Sequence, residues 1–99
     1  MDEIEELAEI FKVLSDPTRL RLVKLLAEGG GALCVNALAH MLGVTQSAVS
    51  QHLRVLRQTR LVRGERRGHF VHYSLDRGKL EQYKARLRET LGEDFVVIK

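Results

Sequence analysis

Five stretches of the chain repeat apolar residues at steps of three or four, the spacing of an amphipathic helix. The pattern predicts helices over residues 3–14, 17–27, 35–42, 45–58 and 77–91. The second of these has the most continuous apolar surface, and we expect it to be the most buried helix. It should begin at Pro17, after the capping residue Asp16, and end in the glycines at 29–31.

Between residues 61 and 75 the period falls from about 3.6 to two, which predicts two β-strands. The second strand alternates through Val71, Tyr73 and Leu75, and Gly68 is placed to supply the positive φ angle of a hairpin turn. The chain is therefore predicted to be mainly α with one small β-hairpin. Its length predicts a single domain over residues 1–99.

The predicted helices 35–42 and 45–58 are joined by a short turn that contains Gly43. This is the helix-turn-helix arrangement, here over about residues 35–59. The apolar residues of the second helix, Val49, Leu53 and Leu56, fall on one side, while its other side carries hydroxyl, amide and arginine side chains. Two packed helices with no special role would explain the apolar positions and the glycine. They would not explain the polar face.

Composition limits the class of protein. With 99 residues, 44% of them apolar, the chain is expected to form a soluble globular domain near the lower size limit for a self-sufficient core, so pairing with a second copy would add stability. No apolar run approaches the roughly 20 residues of a membrane span, and the acidic start lacks the pattern of a signal peptide. A cytoplasmic location without membrane contact is expected. The single cysteine, Cys34, cannot form an intrachain disulfide.

Charge is distributed unevenly, although the net charge is only +3. Residues 1–16 hold six acids and one lysine, whereas residues 45–79 hold eight Lys or Arg and two acids. The basic region coincides with the polar helix face and the hairpin, an arrangement typical of surfaces that contact a polyanion. Charge alone leaves open a solvated, arginine-rich surface.

The major groove of B-DNA admits one helix and displays donors and acceptors that short polar side chains can address. We expect the polar helix face to meet base edges, with Arg57 and Arg60 on phosphates and the hairpin tip at the adjacent minor groove or its backbone. His52 would orient the helix or touch a phosphate. The predicted DNA-contacting residues are Thr45, Gln46, Ser47, Ser50, Gln51, His52, Arg54, Arg57, Arg66, Arg67 and His69. Because this patch is small, we expect a two-fold homodimer on a palindromic site in double-stranded DNA.

Three segments of the chain resemble the ArsR/SmtB family of winged-helix repressors: SDPTRLRLVKLL at 15–26, LCVNALAHMLGVTQSAVSQHLRVLRQTRLV at 33–62 and RRGHFVHYSL at 66–75. The resemblance implies a winged helix-turn-helix in the order α1-α2-α3-α4-β-β-α5, with α4 as recognition helix and the wing at about 61–75. It implies a homodimer through the first and last helices, at about 2–14 and 77–91. The implied interface residues are Leu7, Ile10, Phe11, Leu80, Tyr83 and Leu87. The implied function is that of a sequence-specific transcriptional repressor that an inducer releases from DNA.

The inducer sites of this family are not matched. Arsenic-sensing members carry two cysteines as CVC, because a soft ion needs several thiolates, whereas this chain has CVN at 34–36. Zinc-sensing members use an acid, a histidine two residues later, and then a histidine and a glutamate. Those positions are occupied here by Asp76, Gly78, Glu89 and Gly92, of which only the first fits. We therefore expect no metal site and no cofactor, and the inducer stays unknown.

Cys34 is the remaining candidate sensor, through redox chemistry or thiol modification, although a packed small residue is the simpler interpretation. An enzyme with Cys34 as nucleophile is disfavoured, because no acid and histidine stand near it at a recognisable spacing and no glycine-rich phosphate loop occurs. We therefore predict no catalytic residues. A winged-helix module that binds a protein instead of DNA is the alternative function, which the polar helix face and the basic tip, Arg66 and Arg67, disfavour.

Overall fold

The computed structural model describes residues 1–29 and 31–93. Its elements in chain order are α1 (Glu3–Leu14), α2 (Pro17–Glu28), β1 (Leu33–Cys34), α3 (Val35–Leu42), α4 (Gln46–Gln58), β2 (Val62–Arg67), β3 (Phe70–Leu75) and α5 (Arg77–Leu91). The five predicted helices are confirmed to within one residue at each end, and so is the winged helix-turn-helix order. Residues 94–99, for which the sequence predicted no element, lie outside the described residues. No described helix has both the length and the apolar character needed to cross a bilayer.

Side chains of the residues just before the helices define where they start. The carboxylate of Asp16 accepts from the Arg19 amide at 3.0 Å, and the hydroxyl of Thr45 accepts from the Ala48 amide at 3.1 Å. Asp76 caps α5 in the same way through the Lys79 amide, at 3.0 Å. Each cap satisfies one of the amides that the first turn leaves without a partner.

The short strand β1 was missed by the sequence prediction. It pairs antiparallel with β3, Leu33 opposite Tyr73 and Cys34 opposite His72, so the sheet has three strands in the order β1-β3-β2. A strand of two residues is too short to show a period of two, which is why the pattern gave no sign of it. Because β1 runs directly into α3, this pairing attaches the helix-turn-helix to the base of the wing.

The core lies where α2, α3, α4 and the sheet meet. Leu22 and Leu38 are fully buried there, and burying a leucine contributes roughly 1.5–3 kcal/mol. The sequence predicted α2 to be the most buried helix, but Leu20 is 52% exposed and only Leu22 and Leu26 of this helix are fully enclosed, whereas α4 encloses three residues. α2 therefore buries one edge and leaves an apolar residue in solvent.

Gly43 ends α3 with a φ angle of +65°, as expected for the turn of the helix-turn-helix, and an added Cβ would meet no atom within 4 Å. We expect Gly43→Ala to lower the free energy of unfolding by about 1 kcal/mol, because an L side chain is strained in this conformation. Urea unfolding at one fixed protein concentration measures the change. Gly31→Ala is the matched control, since Gly31 also has open space around it but no positive φ angle. Equal effects of the two substitutions would contradict the assigned role of Gly43.

Candidate nucleic-acid interface

α4 presents a continuous polar surface to solvent. Its inner edge is formed by Val49, Leu53 and Leu56, each 0% exposed. Because the helix is fixed along this edge, the residues on its other side project outward. The exposed members of the predicted set on α4 are Gln46, Ser47, Ser50, Gln51, Arg54 and Arg57. The structure thus brings the predicted amides, hydroxyls and arginines together on one accessible face.

Two predicted contact residues, Thr45 and His52, also have structural roles, each near the start of a helix. The exposed Thr45 accepts from the Ala48 amide, so its oxygen caps α4 while its O–H remains able to donate. His52 is half-buried on the flank of α4 rather than on the polar face. The hydrogen bond from the Arg19 amide, with a lesser contribution from the charge of His52, holds the pKa of the Asp16 carboxyl below its ordinary value. His52 therefore lies beside the start of α2, in keeping with a helix-orienting role.

The wing places its basic residues on both faces. β2 and β3 pair with Arg66 opposite Val71 and Arg67 opposite Phe70, and successive side chains of a strand point to opposite faces. Arg66 therefore shares a face with Gly64, and Arg67 shares the other with Arg63. Arg67 lies 3.9 Å from the carboxylate of Glu65, but both side chains are more than half exposed, so this pair adds little stability. The predicted positive φ angle of Gly68, +63°, is confirmed.

Gly64 makes room for a side chain of the neighbouring strand of the wing. A Cβ at this position would be 3.0 Å from Cε1 of Tyr73 and 3.2 Å from Cγ1 of Val71. The ring of Tyr73, which is 9% exposed, occupies that space. The absence of a side chain at Gly64 thus leaves room for the ring of Tyr73, its cross-strand partner on β3.

A shallow groove of about 310 Å³ joins α4 to the wing. The predicted contact residues Gln46, Ser50 and His69 line it together, so the structure combines two separate parts of the sequence. Asn36 and Phe70, which are not among the predicted contact residues, also line it. The side chain of Phe70 is 58% exposed. The signal for Asn36 was available, because it is the one polar residue in the first turn of VNALAHML.

Three further arginines are placed by the fold in ways that the sequence did not indicate. Arg63 and Arg77 line a second groove with Arg67 on the outer side of β2. Arg77 is held there by donating from Nη2 to the carbonyl of Ala27 at 2.9 Å. Arg60, which was expected to reach phosphates from the end of α4, follows the helix in a left-handed conformation and lines a cavity between α1, α4 and α5.

The candidate sensor Cys34 is a free, half-buried thiol at the N-cap position of α3, where its side chain makes no capping hydrogen bond. Within residues 1–29 and 31–93, no group of three or more His, Cys, Asp or Glu side chains is arranged to hold a metal ion. The structure thus offers Cys34 no nearby set of metal ligands among the residues it describes.

The residues expected at a dimer interface divide into two groups. Leu7, Ile10 and Tyr83 are 4%, 5% and 7% exposed within one protomer, so little of each is left for a second copy to cover. Phe11 is 46% exposed, and Leu80 and Leu87 are half-buried. Exposed apolar side chains that the sequence reasoning did not select also occur on these helices, at Ile4 and Leu91.

Ile4 and Phe11 lie on one face of α1, since seven residues make about two turns. The charged and buried residues of α1 occupy its remaining circumference. An apolar stripe exposed at this position is typical of a helix that packs against a partner.

Comparison with known proteins agrees with this geometry. A model of bacterial regulatory proteins of the arsR family matches residues 16–63. A transcriptional repressor SmtB homolog of Synechocystis sp. is 48% identical over 75 residues, which are 76% of this chain and 55% of that relative. An HTH-type transcriptional regulator of Methanocaldococcus jannaschii is 40% identical over 73 residues, 74% of this chain and 81% of the relative.

Similar structures extend the agreement to nearly the whole fold. The crystal structure of a possible transcriptional regulator for arsenical resistance matches with a TM-score of 0.69 and 40% identity, over 89% of this chain and 84% of that one. The chain spans little more than half the length of the SmtB homolog but most of the other two proteins. By its sequence and by its fold, the chain belongs to the arsR family of bacterial regulatory proteins.

Proposed function

We propose that the protein is a sequence-specific transcriptional repressor that binds a palindromic site in double-stranded DNA as a homodimer, in the cytoplasm of a prokaryotic cell. The observation that carries this proposal is the exposed polar face of α4 beside a basic wing. Membership of the arsR family supports the same function.

The polar face of α4 and the basic wing are suited to different parts of the DNA. Amide and hydroxyl side chains in the middle of α4, such as Gln51 and Ser50, can address donors and acceptors on base edges in the major groove. The arginines of the wing and the end of α4 supply positive charge for phosphates, which gives affinity and register without reading sequence. Both surfaces are accessible in the protomer.

The homodimer is proposed to form through α1 and α5. Ile4 and Phe11 expose an apolar stripe on α1, and on α5 Leu91 is exposed one turn after the partly covered Leu87. In a two-fold interface both copies use the same patch, so the apolar stripe of each protomer is covered by its partner. Pairing would also place two recognition helices on one duplex, which is what a palindromic site requires.

Base recognition is tested at Gln51. Gln51→Ala should weaken specific binding by on the order of 1–3 kcal/mol and relax the preference at one position of each half-site, because an amide that can bond a base edge is removed. Selection from a random duplex pool, followed by titration of the selected site, measures both effects. Gln82→Ala is the matched control, an exposed glutamine on α5. Unchanged affinity and preference in the Gln51 variant would show that α4 does not read the site.

The role of the wing is tested at Arg67. Arg67→Ala should weaken binding to selected and unrelated duplexes to a similar degree, because an arginine bound to phosphate carries no sequence information. The slope of log K against log salt should become shallower by about 0.9 for each phosphate that the variant no longer neutralises. Lys84→Ala, which removes an exposed cation from α5, is the control. Weakened binding of the selected site alone would instead assign Arg67 to base reading.

Assembly is tested at Ile4. Ile4→Glu should convert dimers to monomers at micromolar concentration, since a carboxylate would be buried without a partner in the apolar interface. Sedimentation velocity measures the change. Met41→Glu is the control, because Met41 is exposed to a similar extent, 55% against 59%, but lies on α3. If the Ile4 variant stayed dimeric, the interface would have to lie elsewhere.

A further inference from the structure

A cavity of about 520 Å³ lies between α1, the corner that joins α4 to β2, and α5. We call it the corner cavity. Its volume falls within the range of small-molecule sites, roughly 300–1,000 Å³. The walls combine an apolar part, Ile10, Val13 and the ring of Tyr83, with charged side chains from all three elements. Of the residues that line the corner cavity, only Arg60 was expected to reach DNA, on a phosphate.

The charged groups of the corner cavity do not balance. Nη1 of Arg86 lies 2.9 Å from Oε1 of Glu6, and Nζ of Lys79 lies 3.8 Å from the same oxygen. Two cations therefore share one carboxylate, although their side chains are only 22–23% exposed. The Arg86 guanidinium beside Glu6 holds the pKa of that carboxyl below its ordinary value, so Glu6 stays ionised and cannot neutralise more than one of the cations.

Arg60 adds to this excess. It also lines the corner cavity, and among the described residues no carboxylate lies within 4 Å of its guanidinium, while Glu9 supplies the second negative charge of the walls. The walls as a whole thus carry three cations against two carboxylates. The ring of Tyr83 compensates Lys79 and Arg86 in part, because its centroid lies 5.3 Å from Nζ of Lys79 and 6.0 Å from the guanidinium carbon of Arg86. An anion entering the cavity would supply the full countercharge that these partly buried cations lack.

The backbone of Arg60 is strained. Its φ angle is +63°, and within the described residues it is the one non-glycine residue with a positive φ. Left-handed backbone costs an L residue roughly 1–2 kcal/mol, and glycine or asparagine would fill the position at lower cost. Strain of this kind tends to be kept where the side chain has a task. Here the strained residue projects a guanidinium toward an open cavity.

A partner copy on α1 would leave the corner cavity accessible. Ile4 and Phe11 face one side of α1, and at 100° per residue Glu6, Glu9 and Val13 fall on the opposite side. The proposed dimer stripe and the cavity wall are therefore different surfaces of the same helix. On α1, dimerisation and filling of the cavity therefore involve different residues.

We infer that the corner cavity is a binding site for a small organic carboxylate with an apolar body, held by Arg60 together with Lys79 and Arg86. The cations receive the carboxylate, and Ile10, Val13 and the Tyr83 ring cover the apolar part. As a regulatory site, a role that rests on the proposed function, it would connect the dimer helices to the recognition helix.

The contacts that make this connection are direct. The Tyr83 hydroxyl donates to the carbonyl of Thr59, the residue that ends α4, at 2.9 Å. The hydroxyl has a single hydrogen, so it cannot also donate to Oε1 of Glu6, which lies 3.5 Å away. Tyr83 therefore connects α5 to the end of α4, and the ion pair between Arg86 and Glu6 connects α5 to α1. A carboxylate drawn to Arg60 and Arg86 would act on this junction, at the end of the recognition helix.

The experiment titrates the purified full chain with phenylacetate and 4-phenylbutanoate, and with their neutral amides, by isothermal titration calorimetry in the absence of DNA. At least one acid should bind ten times or more tighter than its amide. Amide chemical-shift changes in ¹⁵N-labelled protein should centre on Thr59 and Arg60. Equal affinity of acids and amides, or shifts centred elsewhere, would overturn the inference.

Arg60→Gly is the decisive variant, because glycine adopts a φ angle of +63° without strain and the fold should be kept. The variant should bind the acid at least tenfold more weakly and the amide unchanged. Arg21→Ala, which removes an exposed arginine from α2, is the control and should bind as the original chain does. Undiminished binding of the acid by Arg60→Gly would exclude Arg60 as its partner.

A separate titration into the selected duplex tests regulation. Saturating acid should change the Kd for DNA at least fivefold in the original chain and leave it unchanged in Arg60→Gly. An acid that binds without altering DNA affinity would overturn the regulatory role and leave the site established. A chain that binds acid but no duplex would overturn the proposed function alone.

Discussion

Burial of one edge of α4 is the constraint on which the rest of the molecule depends. Val49, Leu53 and Leu56 have no exposed surface, so the rotation of α4 about its axis is fixed by the core. Once that edge is fixed, the amide, hydroxyl and arginine side chains on the opposite side of α4 must face outward. The interior of the protein thereby determines which chemistry is offered to a ligand, and the caps at Thr45 and Asp16 determine where two of the helices begin.

Most of the fold could be predicted because it depends on local rules. Helix periodicity, capping residues such as Asp16 before α2, and glycines at the two tight turns all operate within a few residues of sequence. β1 escaped prediction because a strand of two residues exists only through its pairing with β3. The left-handed backbone of Arg60 escaped for a related reason, since arginine has no preference for that conformation and only the surrounding fold imposes it.

The candidate site was predictable in its centre and less so at its edges. The polar face of α4 follows from spacing alone, and Gly68 correctly placed the turn of the wing. The pattern could not separate apolar residues that pack inside the protomer, such as Ile10 and Tyr83, from neighbours that stay exposed, such as Ile4. Both groups share the helical spacing, and the distinction depends on how closely α1 approaches α5. Exposure of Leu20 on α2 likewise depends on which neighbours the fold brings to that helix.

The opposite orientation of Arg66 and Arg67 gives the wing two chemically similar but spatially distinct sides. In a hairpin lying along a minor groove, these sides would meet opposite walls, and the walls of a groove belong to different strands. Each arginine would then hold one strand of the duplex, and the hairpin would resist rolling about its own axis. Two residues that are adjacent in the sequence would thus contact both strands of the DNA at once.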